Sequence, residues 1–430
     1  MMNRTCAVTL VPTLRAGTHW PATLCLASFD AERRKNEIPT RSVGTRVHLS
    51  SLILLLLLAP VKAESPLAVP VEGAPFRADL VSVDDRWQIA FDAAGSRRVV
   101  PAAALAWWGQ CSDTASSPWV VFFDGSLLAA SLQSGDEKHF SVDSVLFGSV
   151  RLPRSRVAGL LLHPPADRGD RDRLVDRARS GDADRVVLIN GDAVAGTVQH
   201  IADGKVHLQS GVGPLDLELG RVAAILCRTT ADAPASPSGA WAGFRGGTRL
   251  HAESLVIAEN SLKVTLPGGI AWSTLPKQLV FLQPLGGQVV YLSDLKPEGY
   301  RHVPYLSLSW PYQVDRNVLG GMLRSGGNLY LKGLGTHSAS RLTYALAEPF
   351  RRFQAELAVD DAIDGGGSVG FRVFVDGQVR YTSPTVRGGQ PALHISVDVA
   401  GAKRIDLVVD FADRGDELDR ADWLNARLVR

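Results

Sequence analysis

The 430 residues are too many for a single hydrophobic core, so two to four domains are expected. An apolar fraction of 45% excludes a disordered chain, and 46 Lys and Arg against 44 Asp and Glu leave no basic footprint for nucleic acid. Gly and Pro number 41 and 24, a density of punctuation that suits short strands joined by turns.

Residues 1–63 read as a leader. Ser51–Pro60 (SLILLLLLAP) follows Arg41 and Arg46 and precedes Val61-Lys62-Ala63. That is a basic region, a short apolar run and a small-x-small cleavage site, the pattern of a secretory signal. The run is about half of what a bilayer-spanning helix needs, so no transmembrane helix is expected in the mature chain. Residues 1–45 are read as a mis-called start, with initiation expected near Val43 or Val47. Export to the periplasm, the cell surface or the medium follows. Cleavage after Ala63 leaves 38 basic and 41 acidic residues, and only Cys111 and Cys227 of the four cysteines. In an oxidising compartment these two form a disulfide or remain buried thiols, and the sequence leaves both open.

The middle of the chain repeats loosely about every 60 residues. Asp124-Gly-Ser126, Asn190-Gly-Asp192 and Gly246-Gly-Thr248 each sit between short apolar strands, where φ > 0 turns tighten a hairpin. Each copy closes on a similar strand: Val157–Leu162, Val222–Leu226 and Leu279–Leu282. A weaker copy runs from Ala78 to Trp108. The expectation is β repeats over 75–163 and small SH3-like or Sm-like barrels over 185–228 and 241–287. Two linkers divide them: 164–184, charged and holding the one plausible helix at Asp170–Ser180, and 229–240, with the flexible composition ADAPASPSGA at 231–240.

From residue 288 to the end the texture changes to alternating strands, among them Phe353–Val359, Val369–Val375, His394–Val399 and Arg404–Asp410. Period-two alternation at this spacing predicts an antiparallel β-sandwich. The fold class is therefore all-β: tandem small barrels, then a sandwich.

Seven collinear motifs carry a resemblance. They are Lys332-Gly-Leu-Gly-Thr-His-Ser338, Val359-Asp-Asp361, Gly367-Ser-Val-Gly-Phe-Arg-Val373, Asp376-Gly377 with Ser383-Pro384, Gly401-Ala-Lys-Arg404, Leu407-Val-Val-Asp410, and Asp419–Arg427. Residues 288–430 thereby resemble the NPCBM family, the novel putative carbohydrate-binding modules related to those attached to glycoside hydrolase family 98. The resemblance implies a galactose-binding-like jelly roll and, by extension, galactose-type sugars.

Sugars offer an apolar face to an aromatic ring and paired hydroxyls to Asp, Asn, Arg or His. On that chemistry the candidate sugar-binding residues are His337, Trp423, Asp422, Asp419 and Asn425. Hard oxygen donors at Asp360, Asp361, Asp416 and Asp419 make a structural calcium a second expectation.

No H-E-x-x-H and no P-loop occurs, and no paired-carboxylate cleft is evident, so catalysis is not expected. The leading reading is an exported, non-catalytic protein that binds a carbohydrate or glycoconjugate. The alternative is a structural component of the cell envelope that contacts other envelope proteins, and the third is a glycosidase accessory or divergent glycosidase.

Overall fold

The computed structural model describes residues 64–113, 118–181, 183–228, 238–363 and 365–430. The leader, its Cys6 and Cys25, and most of the 229–240 linker lie outside the described residues. Lys62–Arg430 forms one compact unit.

The first part of that unit repeats one element order four times. In the third copy the strands are Arg185–Leu188, Ala193–Ala202, Lys205–Ser210 and Gly213–Glu218, then a 3₁₀ turn, then the closing strand Val222–Leu226. The 3₁₀ turns at Ala102–Ala104, Arg154–Arg156, Leu219–Arg221 and Pro276–Gln278 are built alike. In each, the N–H of the first residue of the closing strand bonds the carbonyl three residues back. The first copy opens at Leu67–Pro70, upstream of Ala78.

The copies are not beads on a string. The closing strand of the first copy pairs antiparallel with that of the fourth, Trp108 opposite Leu282, and the second with the third, Leu160 opposite Ile225. The same partners meet again at Val83–Ile257 and Gly135–Ile201. Gly109 makes the first junction possible: its φ is +77°, and a Cβ there would stand 2.0 Å from the Val280 carbonyl oxygen. One apolar core results, drawing Ile89, Phe140, Val206 and Leu262 from four different copies. Each such side chain contributes about 1.5–3 kcal/mol on burial. The helix Arg168–Arg179 is capped by Asp167, whose side chain accepts from the Asp170 N–H, and it packs Leu174, Val175 and Ala178 against this sheet.

The C-terminal part is a sandwich of two antiparallel sheets. In the first, the strands Gln313–Val314, Gly333–His337, Arg420–Val429, Arg352–Val359 and Leu393–Asp398 lie side by side. The second holds Gly299–His302, Ser340–Ala345, Arg404–Phe411, Ser368–Val375 and Gln378–Thr382. Phe353, Phe371, Leu407 and Trp423 meet between them. The outer face of the first sheet is covered by the hairpin Leu323–Tyr330, which pairs with Cys111–Ser112 of the repeat region.

A charged network seals that junction. Arg324 donates Nη1 and Nη2 to Asp172 at 2.7 and 3.1 Å and Nε to Asp113 at 2.9 Å, all three residues being buried or nearly so. Cys111 and Cys227 are separate, buried free thiols. Burial pushes them up to about 11 and about 12, which keeps them protonated and unreactive.

Candidate functional site

The strand ends at His302, His337, Val359, Phe411 and the strand starts at Ser340, Ser368 and Arg420 gather at one rim of the sandwich. The loops between them carry the chemistry. Trp310, half-buried, lies flat on His337 with ring centroids 5.2 Å apart and planes 8° apart. His302 meets His337 edge-on at 5.9 Å. Both histidines donate to the Ser338 carbonyl, His337 through Nδ1 at 2.9 Å and His302 through Nε2 at 3.0 Å. The Trp310 N–H then donates to His302 Nδ1, so this ring uses Nε2 as donor and Nδ1 as acceptor. Burial holds the His337 imidazole below its ordinary value, which favours its neutral form near pH 7.

Beside this stack the exposed Tyr305 crosses Gly415 and meets Phe411 edge-on at 6.0 Å. The acidic loop Asp413–Asp419 separates the stack from a cleft of about 340 Å³ bordered by Gly366, Arg387, Gly388, Asp413, Arg414 and Glu417. Arg387 is held by Asp413 at 2.7 Å, whereas Arg414 and Glu417 make no side-chain hydrogen bond among the described residues. A rim with aromatic faces, two fixed imidazoles and unengaged carboxylate and guanidinium groups suits a polyhydroxylated ligand.

The residues singled out from sequence fall into different places. His337 is at the rim, 5% exposed and reached through Trp310. Asp419 lies beneath it, its carboxylate accepting from Ser338 Oγ at 2.7 Å and from the Ser368 N–H at 2.8 Å. Burial pushes its carboxyl up to about 6. It braces the loops and has no face toward solvent.

Trp423 corrects the expectation of an aromatic platform. It is wholly enclosed between the sheets, edge-on to Phe371 at 4.9 Å, and offers no face to a ligand. Alternation along Arg420–Val429 explains this: Ala421 and Trp423 point inward, so Asp422 points to the opposite face, beneath the Leu323–Tyr330 hairpin. Asn425 lies on that outer face as well, accepting from Gln283 Nε2 of the repeat region and donating to Glu356. Asp422 and Asn425 therefore belong to an internal junction and are remote in role from the loop rim.

The fold divides the four residues of the calcium expectation between two places. Asp361 accepts the N–H groups of Gly326 and Gly327, and Asp360 accepts from Asn317, Ala362 and the Arg324 N–H. Asp416 and Asp419 sit in the separate rim loop. Among the described residues, no group of three or more His, Cys, Asp or Glu side chains is placed to hold a metal.

The run Gly365–Gly370 fits both the G-x-G-x-x-G and the G-x-S-x-G spacing. Both motifs require a turn that leads into a helix. Here Ser368 opens a strand and donates Oγ to the Asp413 carbonyl, so neither a phosphate cradle nor a nucleophile elbow is formed. Sequence reasoning missed Trp310 and His302. Their signal was present as aromatic and imidazole side chains in a stretch without strand alternation, Arg301–Tyr312.

A two-sheet sandwich with an aromatic and polar loop rim defines the class of β-sandwich binding modules. Residues 288–429 match the family described as NPCBM/NEW2 domain. The Alpha-1,3-galactosidase B of Akkermansia muciniphila is 33% identical over 117 residues, covering 26% of this chain and 15% of that protein. A Renibacterium salmoninarum relative is 37% identical over 110 residues, 26% of this chain and 7% of its own length. The chain thus matches only a small part of these curated relatives. Among solved structures, CBM51 from Clostridium perfringens GH95 in complex with methyl-galactose is 25% identical. That match covers 33% of this chain and 99% of the other, with a TM-score of 0.30.

Proposed function

We propose that this chain is an exported, non-catalytic carbohydrate-binding protein whose sandwich rim holds a galactose-type sugar. The observation that carries the reading is the Trp310–His337 stack beside the Asp413–Asp419 loop, within a segment that matches a carbohydrate-binding-module family. Trp310 and Tyr305 supply apolar ring faces, while Asp416, Glu417 and Arg414 supply partners for hydroxyl pairs. The galactosidase name of one relative supports the choice of sugar. The secretory pattern at 41–63 supports export, and no helix among the described residues is long and apolar enough to cross a membrane.

The test is a glycan array with the full chain and Trp310→Ala. Binding to galactose-terminated glycans that falls at least tenfold in the variant, with an unchanged unfolding curve, supports the reading. An array on which the intact chain retains no glycan removes it and favours the envelope-scaffold alternative.

A further inference from the structure

A second, larger cleft lies away from the rim, between the repeat region and the sandwich. Its volume is about 460 Å³, within the range of small-ligand sites. Asp124, Trp241, Arg249 and His251 come from the repeats, Asp176 and Arg179 from the helix, and Asp315, Arg316 and Lys332 from the sandwich. Clefts between two rigid bodies are frequent ligand sites because both walls are preformed.

Most charges in this cleft are already committed. Arg316 donates Nε and Nη2 to the two carboxylate oxygens of Asp176 at 3.0 and 2.6 Å. Lys332 bonds Asp315 at 2.9 Å as well as Asp294, and the second oxygen of Asp315 accepts the Gly333 N–H. Asp124 accepts the Ser126 N–H and lies near Arg179.

Arg249 is different. Its guanidinium makes no hydrogen bond and no ion pair among the described residues, and the side chain is only partly buried where it borders the cleft. The carboxylates closest in influence, Asp113 and Asp172, are both taken by Arg324. On its inner side stands the protonated, neutral Cys111 thiol. A guanidinium stays charged at any ordinary pH, so its five N–H groups are open to an anion entering the cleft. Trp241 lines the same cleft, its ring 5.6 Å from His251, and gives an apolar wall next to the cation. The His251 Nε2–H donates to the Ser238 carbonyl, which fixes that ring beside Trp241.

We infer that this cleft is a second ligand site, for an acidic saccharide whose carboxylate or sulfate pairs with Arg249 while its ring lies against Trp241. The aromatic wall beside the cation favours a charged sugar over a bare anion, since a bare anion gains nothing from Trp241. The site is independent of the rim and does not require the rim to bind anything.

The experiment is calorimetric titration of the full chain and of Arg249→Gln with galacturonate, N-acetylneuraminate and galactose 6-sulfate. Galactose and N-acetylglutamate serve as the neutral and non-sugar probes. The expected result is binding of at least one acidic sugar, weakened tenfold or more in Arg249→Gln and partly restored in Arg249→Lys. N-acetylglutamate should bind at least tenfold more weakly than that sugar. Because Arg249 holds no internal bond, Arg249→Gln is expected to unfold at or above the parent temperature, so a loss of binding reports on the site. Equal binding of the acidic sugar by parent and Arg249→Gln overturns the inference, as does no binding of any acidic sugar. N-acetylglutamate bound as tightly as the sugars also overturns it, in favour of an acidic-peptide site.

Discussion

Trp423 and Asp422 are neighbours in sequence with opposite fates, and each sets a measurable consequence. Trp423→Ala removes a wholly buried ring from between Phe353 and Phe371. It is expected to lower stability by about 3–5 kcal/mol through the cavity it leaves, read from the denaturation midpoint. Its effect on sugar binding should follow only from unfolding. Asp422 neighbours Asp360, and neither of its oxygens finds a donor among the described residues, an arrangement that favours a proton shared by the two carboxyls. Burial first, then the Asp360 charge, raises the Asp422 carboxyl far above the ordinary carboxylate range. The folded chain therefore keeps a proton that the unfolded chain releases near pH 4. This contribution is full below that pH and is lost as pH rises toward the native value. Asp422→Asn has no such proton to lose. Its stability relative to the parent should improve steadily between pH 4 and pH 8 in denaturation midpoints, and a difference that stays flat across this range speaks against the shared proton.

At the scale of elements, the strand Arg420–Val429 decides which residues are available for recognition. Asn425 adopts φ +48° and the pairing with Arg352–Val359 shifts register there. That bulge lets Ala426 and Leu428 return to the core after Ala421 and Trp423. The polar groups on the other face meet the repeat region instead of solvent. The loop Val303–Tyr312 behaves in the opposite manner: Tyr305, Leu306 and Leu308 are exposed, while Trp310 is half-buried on His337. Its backbone carbonyl accepts the Tyr300 hydroxyl at 2.6 Å. Trp310→Ala should therefore remove recognition with less than about 1 kcal/mol of lost stability, as expected for a half-buried loop side chain without a core cavity. A large shift of the unfolding transition in that variant would instead assign Trp310 to the framework.

Across the whole molecule, the repeat region and the sandwich are locked together by Arg324, Asp172 and Asp113. Replacing Arg324 with Met leaves two shielded carboxylates without their main partner. The expected loss is about 3–5 kcal/mol, measured by urea unfolding of the full chain. Because Gln283, Tyr291 and Asn425 also join across this junction, residues 288–430 alone would expose a surface built to be covered. Binding is therefore best measured on the full chain. A Met variant as stable as the parent would show that the two parts are held by apolar contacts such as Val69, Tyr291 and Val429 alone.

The all-β class, the recurrence of a five-strand element order and the sandwich from 288 onward were legible in the residues alone. Those properties are local: alternation, turn glycines and spacing are properties of neighbouring residues. The sequence also marked the Gly335–Ser338 segment, and His337 does lie at the loop rim. Which side of each strand faces what depends instead on long-range packing. Trp423, Asp422 and Asn425 read as one polar and aromatic stretch because so short a run cannot reveal that a strand crosses the core and that the repeat region covers its outer face. The separation of Asp360 and Asp361 from Asp416 was hidden for a related reason, since the N–H groups that engage Asp360 and Asp361 come from a hairpin more than thirty residues away. The unpaired state of Arg249 is likewise a relation among three distant segments, and no local pattern encodes it.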